Sequence, residues 1–422
     1  MINKLIAAAL SQRLLVLLAA LGLLAYGVYS ALRLNLDAFP DVTNIQVQVF
    51  TEAPGLAAVE VEKLITFPVE TAMSGLPGLE QVRSISKTGL SVVTIVFNDA
   101  TDTYFARQLV GERLSTAKER IPNGLGSPEM GPITTGLGQV FKYVLTSPTR
   151  DSMELRAIND WIVKFQLRTV PGVTDVLSYG GSVRQYQVNV NPDRLMSYAL
   201  TIADVKSALQ ANNTNAGGWY IEGPQEQLVV RGEGLVRGGN DGLTDIGDIV
   251  LKSVDGVPVY VRDVADVEYG SEIRQGAVSM NGNGEVVMGV ILQLKGANTN
   301  QVIKDLRNKI EVVQRSLPKD VKIQTVYDQA DLIEKAVGTV TEALSESAVL
   351  IVVVLFLFLW NIRSALVVLC SIPLSMLVAI IMMRWFGLSA NLQSLGGLAI
   401  GIGMMVDGSL VMVENKIGRA HV

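Results

Sequence analysis

From Leu14 to Leu32 the chain carries no charged side chain. A run of that length matches the hydrocarbon thickness of a bilayer, so any fold must be built around a membrane helix. A cleaved signal peptide is the rival reading, because Lys4 and Arg13 precede the run. The run is long for such a signal and lacks a small-residue cleavage site. Three more apolar blocks follow far down the chain, Glu342 to Trp360, Ser364 to Met383 and Leu392 to Val413. The link Asn361-Ile-Arg363 joins the first two, and Arg384 to Asn391 turns the chain into the last. With four crossings, Lys4, Arg13 and Arg363 share one side, the cytoplasm by the rule that basic residues stay inside. Residues from about 34 to 335 then lie in the periplasm of a two-membrane bacterium.

Apolar residues make up 49% of the chain, yet 18% are charged, as expected of long apolar segments joined to an ordinary soluble domain. A net charge of -5 gives no reason to expect nucleic acid as a partner. Cys370 is the sole cysteine, which excludes a disulfide framework and a thiolate zinc site within the chain. His421 is the sole histidine, so a histidine metal centre or triad is excluded too.

The region between the first and second apolar runs alternates strand-like and helix-like stretches. Ile45 to Phe50 alternates strictly and suits a half-buried strand, Leu56 to Met73 has helical spacing, Val92 to Phe97 is a strand and Thr103 to Arg120 a helix. A repeat runs through it. Pro77-Gly78-Leu79-Glu-Gln-Val82-Arg-Ser84 recurs as Pro171-Gly172-Val173-Thr-Asp-Val176-Leu-Ser178, each after an amphipathic helix and before an alternating strand (Val92 to Val96, Tyr186 to Val190). Duplicated β-α-β units packed side by side are expected. A third strand-helix-strand passage spans Val286 to Leu294, Asn300 to Leu317 and Val321 to Val326. Gly217 to Gly234 reads as a glycine-bounded hairpin, either a plain connection or an arm that grips a neighbouring subunit. The expected fold class is a membrane α-helical bundle of four spans with a large α+β periplasmic domain of repeated β-α-β units.

The last apolar run contains an acid. Asp407 lies well inside Ser394 to Asn415, where a carboxylate costs roughly 2.5–3.5 kcal/mol on insertion scales. Such residues face a bundle interior or a wet cavity, which makes Asp407 the candidate proton-relay acid; pairing with a basic residue on another helix is the alternative. Glu414 is the second candidate acid, and its place near the helix end also suits plain snorkelling. Gly397, Gly401 and Gly408 fall near one helical face, where small residues permit close helix contact. Met405 and Met412 are candidate soft-metal ligands, although methionine in a membrane helix commonly just packs.

These features together resemble resistance-nodulation-division (RND) efflux pumps, and the periplasmic phrases resemble the heavy-metal branch. Those phrases include Leu36-Asp-Ala-Phe-Pro-Asp-Val42, Phe67-Pro-Val-Glu-Thr71, Gly75-Leu-Pro-Gly-Leu-Glu-Gln81 and Met130-Gly-Pro-Ile-Thr-Thr-Gly-Leu-Gly138. Asn191-Pro-Asp-Arg-Leu195, Gly256-Val-Pro-Val-Tyr-Val-Arg-Asp-Val264 and Val406-Asp-Gly-Ser-Leu-Val-Met-Val-Glu-Asn415 add to them. Multidrug relatives carry two adjacent acids at the fourth-helix site, whereas here Gly408 follows Asp407. The resemblance implies a proton antiporter rather than an enzyme, with no cofactor beyond the transported cation and protons. It implies a homotrimer that partners a periplasmic adaptor and an outer-membrane channel. It also implies a porter subdomain at 34–135, a second at 136–181 and 272–330, and a docking subdomain at 182–271 whose hairpin reaches the next protomer. Helices are expected at 1–33, 331–361, 364–385 and 391–415. A multidrug exporter and a protein-secretion motor are the alternatives; the secretion motor shares only the helices.

The resemblance leaves the metal open between divalent ions (zinc, cobalt, cadmium, nickel) and monovalent copper or silver. Copper and silver pumps carry methionines where Met405 and Met412 stand, but two further methionine positions of theirs fall here at Gln393 and Ile273. Zinc-type pumps often add an acid where Gly401 stands. The balance leans to divalent ions. Family members are more than twice as long, and their second half holds the main periplasmic metal site and the lysine partner of the relay acid. The last residues, Lys416 to Val422, leave the family pattern and match the translation of a sequencing adapter. Ile417 to Val422 are therefore expected to be artefact, with a basic cytoplasmic tail as the alternative.

Overall fold

The computed structural model describes residues 11–420 apart from 38–39, 225, 255, 275, 283 and 360–361. Lys4, Asn361, His421 and Val422, invoked above, lie outside that range. The chain divides into two compact units, one of residues 1–144, 163–177 and 289–422, the other of 145–162 and 178–288.

Helix α1 (Arg13–Leu32) realises the first apolar run. Beyond it, β1 (Ile45–Glu52) leads to α2 (Ala58–Val61), a π-helical turn (Glu62–Thr66) and α3 (Phe67–Met73). There follow β2 (Leu79–Lys87), β3 (Leu90–Phe97), α4 (Thr103–Arg120) and β4 (Pro128–Met130). The strands form one sheet in the order β2-β3-β1-β4, all neighbours antiparallel. This is a split β-α-β-β-α-β unit, with β3 inserted between β1 and β2. Val47, Val49, Val93 and Ile95 point from the sheet into a core closed by Ile65, Val69 and Met73 below and Ala106 and Val110 of α4.

The second copy starts with β5 (Gln139–Thr146), α5 (Ser152–Ile158), a second π-helical turn (Asn159–Val163), α6 (Lys164–Leu167) and β6 (Val173–Tyr179). Here the side-by-side expectation changes. The next strand, β7 (Arg184–Val190), does not return beside β6 as β3 does beside β2. After it come α7 (Pro192–Ser197), α8 (Ile202–Ala211), β8 (Ala216–Glu222), β9 (Gln227–Gly232) and α9 (Asn240–Gly247). Then follow β10 (Val250–Val254), β11 (Val257–Tyr260), α10 (Val261–Val264) and β12 (Ala265–Ser271). β7 pairs antiparallel with β12 from Val190↔Ala265 to Arg184↔Ser271, over a core of Leu195, Val205, Ile249, Val259 and Val261.

The strand equivalent to β3 is β13 (Val287–Gln293), followed by α11 (Thr299–Ser316) and β14 (Lys322–Asp328). The second four-stranded sheet runs β14-β5-β13-β6, the order of the first with each strand replaced by its counterpart. The third strand-helix-strand passage is therefore the second half of the second copy, not a unit of its own. The equivalence extends to single hydrogen bonds. Asn98 N–H donates to Gly78 O (2.9 Å), and Leu294 N–H donates to Gly172 O (2.8 Å). Both glycines have φ near +80° (73° and 86°), which is why glycine follows proline in each copy. Asp102 caps α4 and Asn298 caps α11, each five residues past the strand end.

Three long helices close the chain: α12 (Gln329–Leu359), α13 (Ile362–Trp385) and α14 (Leu392–Ala420). α12 starts well before the apolar block, at the residue after β14. Among the described residues, Leu14–Leu32 is the stretch long and apolar enough by itself to cross a membrane; Cys370–Trp385 and Leu392–Gly401 are shorter apolar stretches.

Candidate functional site

α14 begins at a rigid cap. The N–H groups of Gln393 and Ser394 donate to Asn391 Oδ1 (3.1 and 2.9 Å), and Asn391 N–H donates back to Ser394 Oγ (2.9 Å). Helical rise then places Asp407 roughly 22 Å along the axis from that cap, inside the thickness of a bilayer core. Asp407 is exposed, and no ion pair holds it among the described residues. Met405, two residues earlier, is half-exposed. The backbones of Met412 and Glu414 are helical, and their side chains lie outside the described part. A Cβ added at Gly397, Gly401 or Gly408 would meet nothing within 4 Å, so the described residues leave this small-residue face open.

The structure brings together no three His, Cys, Asp or Glu side chains able to hold a metal ion among the described residues. Ile273 is 92% exposed, and Gln393 lies in the first turn of α14. Asp407, Met405 and the glycine face thus share one helix.

A connection the sequence pattern did not announce ties this helix to the second sheet. Asp37 N–H donates to Ala390 O (3.0 Å) and Ala390 N–H to Asn35 O (2.8 Å), so the loop leaving α1 holds the turn that precedes the cap. On its other side the same loop meets α11: Thr299 Oγ1 donates to Asp37 Oδ1 (3.1 Å) and Asn298 Nδ2 to Asn35 Oδ1 (3.3 Å). A small cavity opens there, lined by Asn35, Asp37, Gln293, Lys295 and Thr299. Only Leu36-Asp-Ala-Phe-Pro-Asp-Val42, noted as a family phrase, hinted that this loop matters.

In the other unit, every residue of β8 and β9 is exposed, and the rings of Trp219 and Tyr220 stack at 5.6 Å on this hairpin. Two ion pairs lie in the same unit: Arg237 forks onto Asp245, and Arg262 meets Asp248. The first holds Asp245 down at about 2, through the Arg237 hydrogen bond above all.

The family model described as "AcrB/AcrD/AcrF family" matches residues 5–420. The cobalt-zinc-cadmium resistance protein CzcA of Cupriavidus metallidurans is 46% identical over 100% of this chain and 40% of its own length. The cation efflux system protein CusA of Escherichia coli K12 is 42% identical over 99% of this chain and 40% of its own. A crystal structure of a heavy metal efflux pump superposes with a TM-score of 0.88 at 37% identity, covering 99% of this chain and 41% of that one. The chain therefore spans about two fifths of the length of the relatives it matches.

Proposed function

This chain belongs to the AcrB/AcrD/AcrF family, in the heavy-metal efflux branch of the RND superfamily, and from that premise we propose that it forms the N-terminal half of a proton-driven heavy-metal cation exporter. The observation that carries the mechanism is Asp407. A lone carboxylate in an apolar helix, flanked by glycine on an open face, can take a proton on one side of a barrier and release it on the other at the cost of a small helix shift. The loop of Asn35 and Asp37 supplies the mechanical link, since it binds the start of that helix and the start of α11 at once. Protonation at Asp407 is thereby coupled to movement of the second sheet.

In this reading α1, α12, α13 and α14 all cross the inner membrane, with residues 34–335 in the periplasm. The protein is a homotrimer in which the exposed β8–β9 hairpin grips the next protomer. It hands its cargo to a periplasmic adaptor and an outer-membrane channel. The cargo is a divalent cation of the zinc, cobalt and cadmium class. What supports that lean is the 46% identity to a cobalt-zinc-cadmium resistance protein against 42% to CusA, and Gln393 and Ile273 where a thioether pathway would continue.

The test is Asp407→Asn in the gene carrying this chain, expressed in a metal-sensitive host. Loss of zinc, cobalt and cadmium resistance, together with loss of metal-driven proton flux in inverted vesicles, is expected. Undiminished resistance would sink the relay role.

A further inference from the structure

The ends of α1 and α13 carry an arrangement that transport leaves unused. Arg33 follows the apolar run ending at Leu32, and Arg384 lies in the last turn of α13. Both guanidiniums sit over the single ring of Tyr29, 4.8 and 4.9 Å from its centroid. Arg384 Nη1 also lies 3.5 Å from the hydroxyl of Ser30, which is fully buried. Neither arginine has a carboxylate partner among the described residues.

Two like charges gathered on one ring repel each other, and a cation–π contact offsets only about 0.5–2 kcal/mol each. The arrangement calls for an anion. Basic residues at the membrane end away from Lys4 and Arg13 also run against the usual charge bias, so their place needs a reason. The surroundings say which anion. Beside Arg384 a cleft is lined by Tyr26, Ile381 and Trp385, with Trp385 82% exposed. Tyrosine and tryptophan beside arginine at the end of an apolar run mark the headgroup level of a bilayer. The planar fork of a guanidinium fits phosphate oxygens in pairs.

We propose that Arg33 and Arg384, gathered on Tyr29, bind the phosphate of an anionic phospholipid whose acyl chain lies in the cleft beside Tyr26, Ile381 and Trp385. The site is independent of the metal path and needs only that α1 and α13 end at the same bilayer surface.

The test is native mass spectrometry of the full chain released from bilayers of equal parts phosphatidylglycerol and phosphatidylcholine. The wild type is expected to retain phosphatidylglycerol preferentially, and Arg33→Gln with Arg384→Gln to weaken that retention about tenfold, the equivalent of 1.4 kcal/mol. Tyr29→Phe keeps the ring and should keep the lipid; Arg33→Lys with Arg384→Lys keeps the charge without the fork and should fall between. Equal retention of the two lipids by the wild type, which requires no variant to fold, overturns the proposal. So does undiminished retention by the double glutamine variant. Displacement of the lipid by excess inorganic phosphate would make the ligand a free phosphate and overturn the lipid assignment.

Discussion

Arg307 on α11 grips Asp328, the last residue of β14, with Nη2 2.6 Å and Nε 2.8 Å from the same carboxylate oxygen. Asp328 is 6% exposed at its side chain, and the residue after it opens α12. Arg307 Nη2 also reaches Asp331 in the first turn of α12 (2.7 Å), so one side chain joins the end of the second sheet to the long helix. Donating to Asp328 raises the Arg307 guanidinium above its ordinary value.

Removing the guanidinium leaves Asp328 Oδ2 covered and without its donor, while Oδ1 keeps the N–H of Ala330 (2.9 Å). Arg307→Ala should lower stability by about 1–3 kcal/mol, the usual cost of an unsatisfied covered acceptor. Arg307→Lys should recover only part, because an ammonium cannot serve the forked geometry. Thermal unfolding in detergent reads the difference, and an unchanged midpoint for the alanine variant would reduce the pair to a surface contact.

Gly27 lets α1 lie against α13. A Cβ there would fall 2.6 Å from the Cβ of Leu377, closer than real contacts allow. Gly27→Ala should cost about 1–3 kcal/mol through overpacking. Leu377→Gly in the same chain, which removes that Cβ, should recover part of it relative to Leu377→Gly alone, and a double-mutant cycle showing simple additivity would contradict the contact.

Acid should weaken the second unit at Asp245. The Arg237 hydrogen bond lowers its folded value from 3.8 to about 2. The folded value lies below the unfolded one, so the stabilisation is complete above about pH 4 and lost as pH falls towards 2. Arg237→Gln should therefore unfold below the wild type at pH 6, with the gap closing near pH 2. Arg237 is exposed and Asp245 half-buried, so the gap should also shrink in high salt. A gap independent of pH would point away from this pair.

Met405 and Met412 separate the two metal readings. For a divalent cargo, Met405→Leu with Met412→Leu should leave zinc and cobalt resistance within about twofold, since thioethers are poor ligands for such ions. A selective collapse of copper or silver resistance in a host carrying the whole gene would instead establish a soft-metal path.

Much of this protein was legible along the chain. The apolar run at Leu14 announced a long apolar helix and the Pro-Gly repeat a duplication, while the acid at 407 marked its helix as a candidate. These are local signals, set by side-chain period, backbone conformation at Gly78 and Gly172, and the cost of charge in hydrocarbon. Tertiary structure decided which strands share a sheet. β7 follows the second repeat as β3 follows the first, yet it pairs with β12, and β13 takes the place beside β6 from far along the chain. Alternation of residues specifies that a segment is a strand but not its neighbour. Pairing partners depend on cores that close only after the residues between them have folded. The same holds for Arg33, Arg384 and the loop at Asp37. Each is unremarkable in sequence, and each acquires a role only where distant segments converge on one ring or one turn.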